Sequence, residues 1–254
     1  MRPSERPSTT LPLPVLAAVL AAVAAGAQTP PAEPKAVDPA PKAVEPATQD
    51  RARPETASEL FRAMAAMRGL EAKFEEEKQL QLLAAPLQSS GALYFLRLDG
   101  RDAGDGRAGG GYLTRVVEKP EPSTVRISPR ELRVQNRDGT EVIDLERSDK
   151  VRTFVSSLVQ VFAGDEAALT KAWTVEFVAD PKSQKAWTLT LSPRSTPLDK
   201  TVKSLTLVGE GRAIVRVEML EPNGDRTVTR IVGADPNRAF DAAERKKLFG
   251  IEPR

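Results

Sequence analysis

Apolar residues follow two rhythms along this chain. Between Ala57 and Gly69 they recur at helical spacing, at Leu60, Phe61, Met64 and Met67 with Arg68 on the same side, and Thr56 with Glu59 forms a capping box at the start. From Ala72 onward most segments instead alternate apolar and polar, the period of a strand with one buried face. The first such strand is predicted to fold back through Ser89-Ser90-Gly91 and return as Leu93-Tyr94-Phe95-Leu96-Arg97. Alternation puts Leu93, Phe95 and Arg97 on one face, so a guanidinium stands beside two apolar neighbours and needs acceptors. By periodicity alone it reads either as a structural ion pair or as a functional contact.

Further strands are predicted at Ser123 to Ile127, Glu131 to Asn136, Glu141 to Glu146, Trp173 to Ala179, Trp187 to Leu191, Val202 to Val208, Ala213 to Leu220 and Arg226 to Val232. Arg137-Asp138-Gly139 and Glu221-Pro222-Asn223-Gly224-Asp225 supply hairpin turns. One helix interrupts them. Its residues Val151, Phe154, Val155, Leu158, Val159 and Phe162 form an apolar stripe, with Ser148 or Asp149 at its start and Gly164 at its end. A short helical segment, Glu166 to Lys171, follows it, and Asp241 to Gly250 reads as a capped helix. Closely spaced antiparallel strands that are polar on one side describe a strongly curved sheet forming an unclosed β-barrel, and the helices have its concave apolar face to cover as a lid. The predicted class is α+β.

The N-terminal quarter has neither rhythm. Arg2 and Arg6 precede an apolar run from Leu11 to Ala24, and Ala25-Gly26-Ala27 offers small residues before Gln28, the pattern of a cleavable signal peptide over 1–27. The run is shorter than the ~20 residues of a membrane span and contains Pro12 and Pro14. Residues 28–55 are rich in Ala, Pro, Glu and Lys with no apolar face to bury, which predicts a disordered linker, either a plain spacer or a protein-docking arm. Residues 56–254 then form one domain. The chain has no cysteine, hence no lipid-attachment site of the lipobox type, and the expected location is the periplasm, soluble after signal-peptide cleavage.

Composition narrows the chemistry. Without histidine or cysteine, Ser-His-Asp triads, Cys-His dyads and Cys/His zinc sites are excluded, and the chain is read as a non-enzyme with no cofactor and no metal. Lys+Arg 37 against Asp+Glu 35 leaves a net charge of +2, and aromatics make up 5%, a poor match to nucleic-acid binding. The aspartates from Asp99 to Asp105 lack the spacing of a calcium loop and read as a glycine-rich hairpin connection that ends in Gly109-Gly110-Gly111.

Leu60, Met64, Met67, Leu70 and Phe74, then Gly91-Ala92-Leu93-Tyr94-Phe95-Leu96-Arg97, the proline-containing connection from Glu118 to Pro122, the helix at Val151 and the closing run of hairpins resemble the LolA-type periplasmic carriers of outer-membrane lipoproteins. That resemblance implies a cavity for acyl chains between an open barrel and its lid, with Arg97 latching the lid. It makes Leu93, Phe95, Phe154, Leu158, Phe162, Trp173 and Phe177 the expected apolar cavity wall. The implied partners are an acylated lipoprotein or lipid cargo, an inner-membrane lipoprotein-releasing transporter and an outer-membrane receptor. The chain departs from the family pattern in its long loop after Arg97, in Leu113 and Arg115 where aromatics are common, and in its last helix. A periplasmic sensor or regulatory module built on the same fold is the alternative reading.

Overall fold

The computed structural model describes residues 53–97 and 110–252. The expected signal peptide, nearly all of the linker and the aspartate-rich part of the loop after Arg97 lie outside the described residues.

Helix α1 (Ala57–Ala65) starts at Thr56, whose hydroxyl accepts the Glu59 amide. Only half of the expected capping box forms, because the Glu59 carboxylate accepts from the Glu55 amide instead of from Thr56. Leu60, Phe61 and Met64 are buried. Arg68 is exposed and not on the inward face, since the helix stops before it and β1 begins at Gly69 instead of Ala72.

Strands β1 (Gly69–Gln79), β2 (Leu87–Arg97), β3 (Gly111–Lys119), β4 (Ser123–Ile127), β5 (Glu131–Asn136) and β6 (Gly139–Asp144) form one antiparallel run. Helix α2 (Asp149–Ala163) and the short α3 (Glu166–Ala172) interrupt it. The chain then returns as β7 (Trp173–Ala179), β8 (Ala186–Pro193), β9 (Ser204–Glu210), β10 (Ala213–Leu220) and β11 (Arg226–Asp235). Because β11 pairs with β1, both runs join into a single sheet in the order β6-β5-β4-β3-β2-β1-β11-β10-β9-β8-β7. The two edges, β6 and β7, do not pair with each other, so the sheet stays open, as expected from the sequence. The link between those edges is α2 and α3, and α2 packs its apolar residues on the sheet.

Curvature has a local origin. The register shifts at Lys73/Phe74 between β1 and β11, at Ser90/Gly91 between β2 and β3, and at Ile214/Arg216 between β10 and β9. Each irregularity bends its strand and sharpens the twist. Val202, expected in β9, instead closes a 3₁₀ turn at Leu198–Lys200, its amide donating to the Leu198 carbonyl at 2.8 Å.

On the concave side α2 buries Val151, Phe154, Val155, Leu158, Val159 and Val161. On the convex side α4 (Ala242–Glu244) opens with a full capping box between Asp241 and Glu244 and runs into a π-helical turn at Arg245–Phe249. Phe240 and Phe249 meet edge to face at 5.1 Å and pack with Leu96, Tyr94 and Tyr112. The Leu248 carbonyl accepts from Thr114 Oγ1 and Arg126 Nε, both at 2.8 Å. Strands β2 to β4 are therefore covered on both faces.

Gly164 ends α2 in the left-handed region, at φ 64°, against the end of α1. A Cβ there would lie 2.2 Å from the Phe61 carbonyl oxygen and 2.6 Å from the Ala65 nitrogen. Gly164→Ala is expected to cost more than about 2 kcal/mol, combining left-handed strain with separation of the two helices. Urea unfolding of both proteins checks it, and an unchanged midpoint would contradict this packing.

Candidate functional site: a lidded cavity on the concave face

Strand parity assigns the concave face. On β1 it carries Leu70, Ala72, Phe74 and Glu76, and the register places these beside Phe95, Leu93, Gly91 and Ser89 of β2 and, for Phe74 and Glu76, beside Ile231 and Thr229 of β11. Between this face and the helices lies a cavity of about 740 Å³. That volume falls within the ~300–1,000 Å³ of ligand sites. The roof is Met64, Met67, Leu158, Val161 and Phe162. Leu70, Phe74, Leu93, Leu113, Val125, Ile127, Leu205, Leu207, Ile214, Val217 and Ile231 make the apolar floor and walls. Lys185, Glu210, Arg212 and Asn237 are exposed members of the same lining and mark where the cavity meets solvent.

Arg97 stands at the end of β2, where α1 and α2 both finish. Its Nε donates to the Met67 carbonyl at 2.8 Å, and its Nη2 donates to the carbonyls of Met64 at 3.0 Å and Ala163 at 2.8 Å. Its backbone amide bonds the Arg68 carbonyl at 2.9 Å. The last carbonyls of a helix lack partners within it and carry the negative end of the helix dipole, so one guanidinium suits two such ends. Three of the acceptors that an inward-facing arginine requires are thus backbone oxygens.

The expected wall residues divide. Leu93, Leu158 and Phe162 line the cavity. Phe95, Phe154 and Trp173 are buried in the core and are not among the lining residues, and Phe95 stacks on Phe162 at 6.0 Å. Phe177 is also absent from the lining and stacks on Trp187 at 6.0 Å. These rings pack against other side chains, whereas Phe74 and Phe162 stand with aliphatic residues at the cavity surface.

Sequence reading passed over one charged pair in this apolar wall. Arg115 on β3 reaches across β2 to Glu76 on β1, Nη2 to Oε1 at 2.8 Å, and the two residues are 7% and 6% exposed. Thr229 Oγ1 donates to Glu76 Oε2 at 2.8 Å, and the Arg115 Cζ lies 4.5 Å from the Phe74 ring centroid. Burial pulls the Arg115 pKa below its ordinary value, and the facing Glu76 acts in the opposite direction. The parity that singled out Arg97 also reaches these two, since Glu76 is two residues after Phe74 and Arg115 two after Leu113.

A family model described as outer membrane lipoprotein carrier protein LolA-like matches residues 60–249. The chain belongs to this LolA-like family. Solved structures similar to it include the MucA/MucB complex of Pseudomonas aeruginosa, at 12% identity over 74% of this chain and 62% of that chain with a TM-score of 0.38. A putative outer membrane lipoprotein-sorting protein domain from Vibrio parahaemolyticus aligns at 9% identity over 75% of this chain and 95% of that chain, TM-score 0.42. A LolA superfamily protein from Nitrosomonas europaea aligns at 11% identity over 74% and 96%, TM-score 0.38. This LolA-like chain thus spans under two thirds of the first of these. No curated protein matches it.

Within the LolA-like chain the Arg115–Glu76 pair has a measurable signature. Arg115→Met or Glu76→Gln alone leaves one buried charge uncompensated, expected to cost about 3–5 kcal/mol, whereas the double substitution removes both charges and loses far less. Chemical denaturation of the four proteins checks this, and strictly additive losses would show that the two side chains are not coupled.

Proposed function

We propose that this protein is a periplasmic, non-enzymatic carrier that shields acyl chains of a lipoprotein or a related lipid and passes them toward the outer membrane. The observation that carries the reading is the cavity itself: an apolar space between a curved sheet and two helices, with side chains from both on its surface. Membership in the LolA-like family supports it. An acyl chain that loses roughly 300 Å² of surface on entering contributes about 7.5 kcal/mol at ~25 cal/mol per Å². In this reading an inner-membrane transporter loads the carrier and an outer-membrane receptor unloads it.

Arg97 is the latch in this reading. Its bonds to Met64, Met67 and Ala163 tie the roof to β2, and cargo enters when they break. Arg97 is not among the lining residues, so Arg97→Leu leaves the cavity wall as it is but removes donors worth about 1.5–3 kcal/mol each. The variant is expected to stay folded, to open more readily and to release an acylated peptide faster, as read by stopped-flow release of a fluorescent lipopeptide. Unchanged release would remove the latch role.

The cavity reading has its own test. Purified protein is expected to bind a fluorescent acyl probe in competition with a diacylated lipopeptide. Leu158→Glu is expected to abolish this, because a carboxylate facing the chain must be desolvated or protonated at a cost of several kcal/mol. Gln160→Glu, which lies off the lining, serves as control and is expected to change little. Equal probe binding by folded wild type and Leu158→Glu would turn the reading toward a sensor or regulatory module.

A further inference from the structure

The ladder between β10 and β11 stops short of both strands' ends. It runs from the pair of Leu220 with Arg226 to that of Arg216 with Arg230, yet β10 starts at Ala213 and β11 continues to Asp235. Over these stretches β10 stays with β9, pairing Ala213 with Glu210 and Ile214 with Gly209, and β11 stays with β1, pairing Gly233 with Lys73 and Ala234 with Ala72. No pair joins 213–215 to 231–235 among the described residues, so the sheet is split there. Each bank of the split carries one extra residue, Val215 opposite β9 and Val232 opposite β1. An extra residue of this kind bends its strand out of the ladder.

The split lies on the cavity. Ala213, Ile214 and Val215 line the cavity from one bank, and Ile231 and Ala234 line it from the other. Toward solvent, Val232 is 56% exposed and a Cβ on Gly233 would meet nothing within 4 Å. The latch is shut in this same structure, with Arg97 on the carbonyls of Met64, Met67 and Ala163. The cavity therefore has a way out that does not require the lid to open. Its chemistry is mixed: valine and alanine side chains offer apolar contact, while the facing strand edges carry backbone N–H and C=O groups that do not pair across the split. A bare acyl chain has no use for such groups. A peptide joined to that chain does, because its amides cannot enter the apolar cavity without partners, and a strand edge supplies them.

We infer that the split between β10 and β11 is a port for the link between an acyl chain held in the cavity and a peptide held outside, with the first peptide groups bonded to the free strand edges of its banks. The inference rests on the carrier reading and deepens it. The lid latches over the acyl chain while the peptide already stands in solvent, and the cargo is an acylated peptide chain in preference to an untethered lipid. Val215, Ile231 and Ala234 contact the first methylenes, and Val232 and Gly233 flank the peptide where it emerges.

The full chain has no cysteine, so Val232→Cys places a single benzophenone label on one bank. Val178→Cys labels the free edge strand β7, and Leu83→Cys labels the connection beyond the far end of β1; both positions are exposed. Each labelled protein is loaded with a palmitoylated peptide and illuminated, and the cross-links are mapped by mass spectrometry. Capture of the residues next to the palmitoyl group is expected at position 232 and not at 178 or 83. In a second arm, displacement of a fluorescent acyl probe is measured for wild type and Gly233→Trp, which puts a ring into the open space at the split. The variant is expected to bind the palmitoylated peptide more weakly, on the order of ten-fold, and methyl palmitate as wild type does. Capture at 232 no greater than at 178 or 83, or equal effects of Gly233→Trp on both ligands, overturns the port and leaves the carrier reading standing. Failure of either ligand to displace the probe from wild type overturns both.

Discussion

Two helices finish at the same place in this fold, and their last carbonyls lack the partner that a further helical turn would supply. Arg97 answers both: a planar guanidinium projects several donors in a fixed fork, and here it spans the ends of α1 and α2 from a single strand position. A lysine there has one nitrogen to place among three oxygens. Because α1 leads directly into β1 and Gly164 turns the chain out of α2 beside Phe61, this small region sets the height of both helices over the sheet. The roof of the cavity is positioned from one end.

The space beneath it exists because the sheet curves and fails to close. Three register irregularities bend the strands, and the edge strands β6 and β7 do not pair with each other. An eleven-stranded antiparallel sheet of this kind has one face too large for two short helices to fill with side chains. Phe95 stacks on Phe162 between sheet and lid, and Phe162, Phe74 and aliphatic side chains line the remaining space. On the other face the C-terminal turn around Phe249 covers β2 to β4, so those strands are held from behind while their front faces the cavity.

Charge enters this apolar interior in two forms with different logic. Arg97 donates to three backbone oxygens, those of Met64, Met67 and Ala163, near where two helices end. Arg115 is bonded to a side-chain carboxylate, and together they keep net charge out of the wall. Such a pair contributes little to stability compared with apolar residues of the same volume.

Local rules carried much of the fold. Strands β4, β5 and β10 begin and end where alternation put them, α2 ends at its glycine, and the Asp241 capping box forms, because turn chemistry and period are properties of neighbouring residues. Parity alone placed Arg97 with Leu93 and Phe95, and the same parity assigns Glu76 and Arg115 to the concave face. Pairing was beyond it: that Arg115 reaches Glu76 over an intervening strand, that β1 meets β11, and that Phe95, Phe154 and Trp173 are core while Leu205 and Ile214 face open space all depend on contacts between segments far apart in the chain. A side chain's face is decided within its own strand, whereas whether that face meets another side chain or a void is decided by how far the opposite layer stands from it, and only the assembled sheet and lid determine that distance.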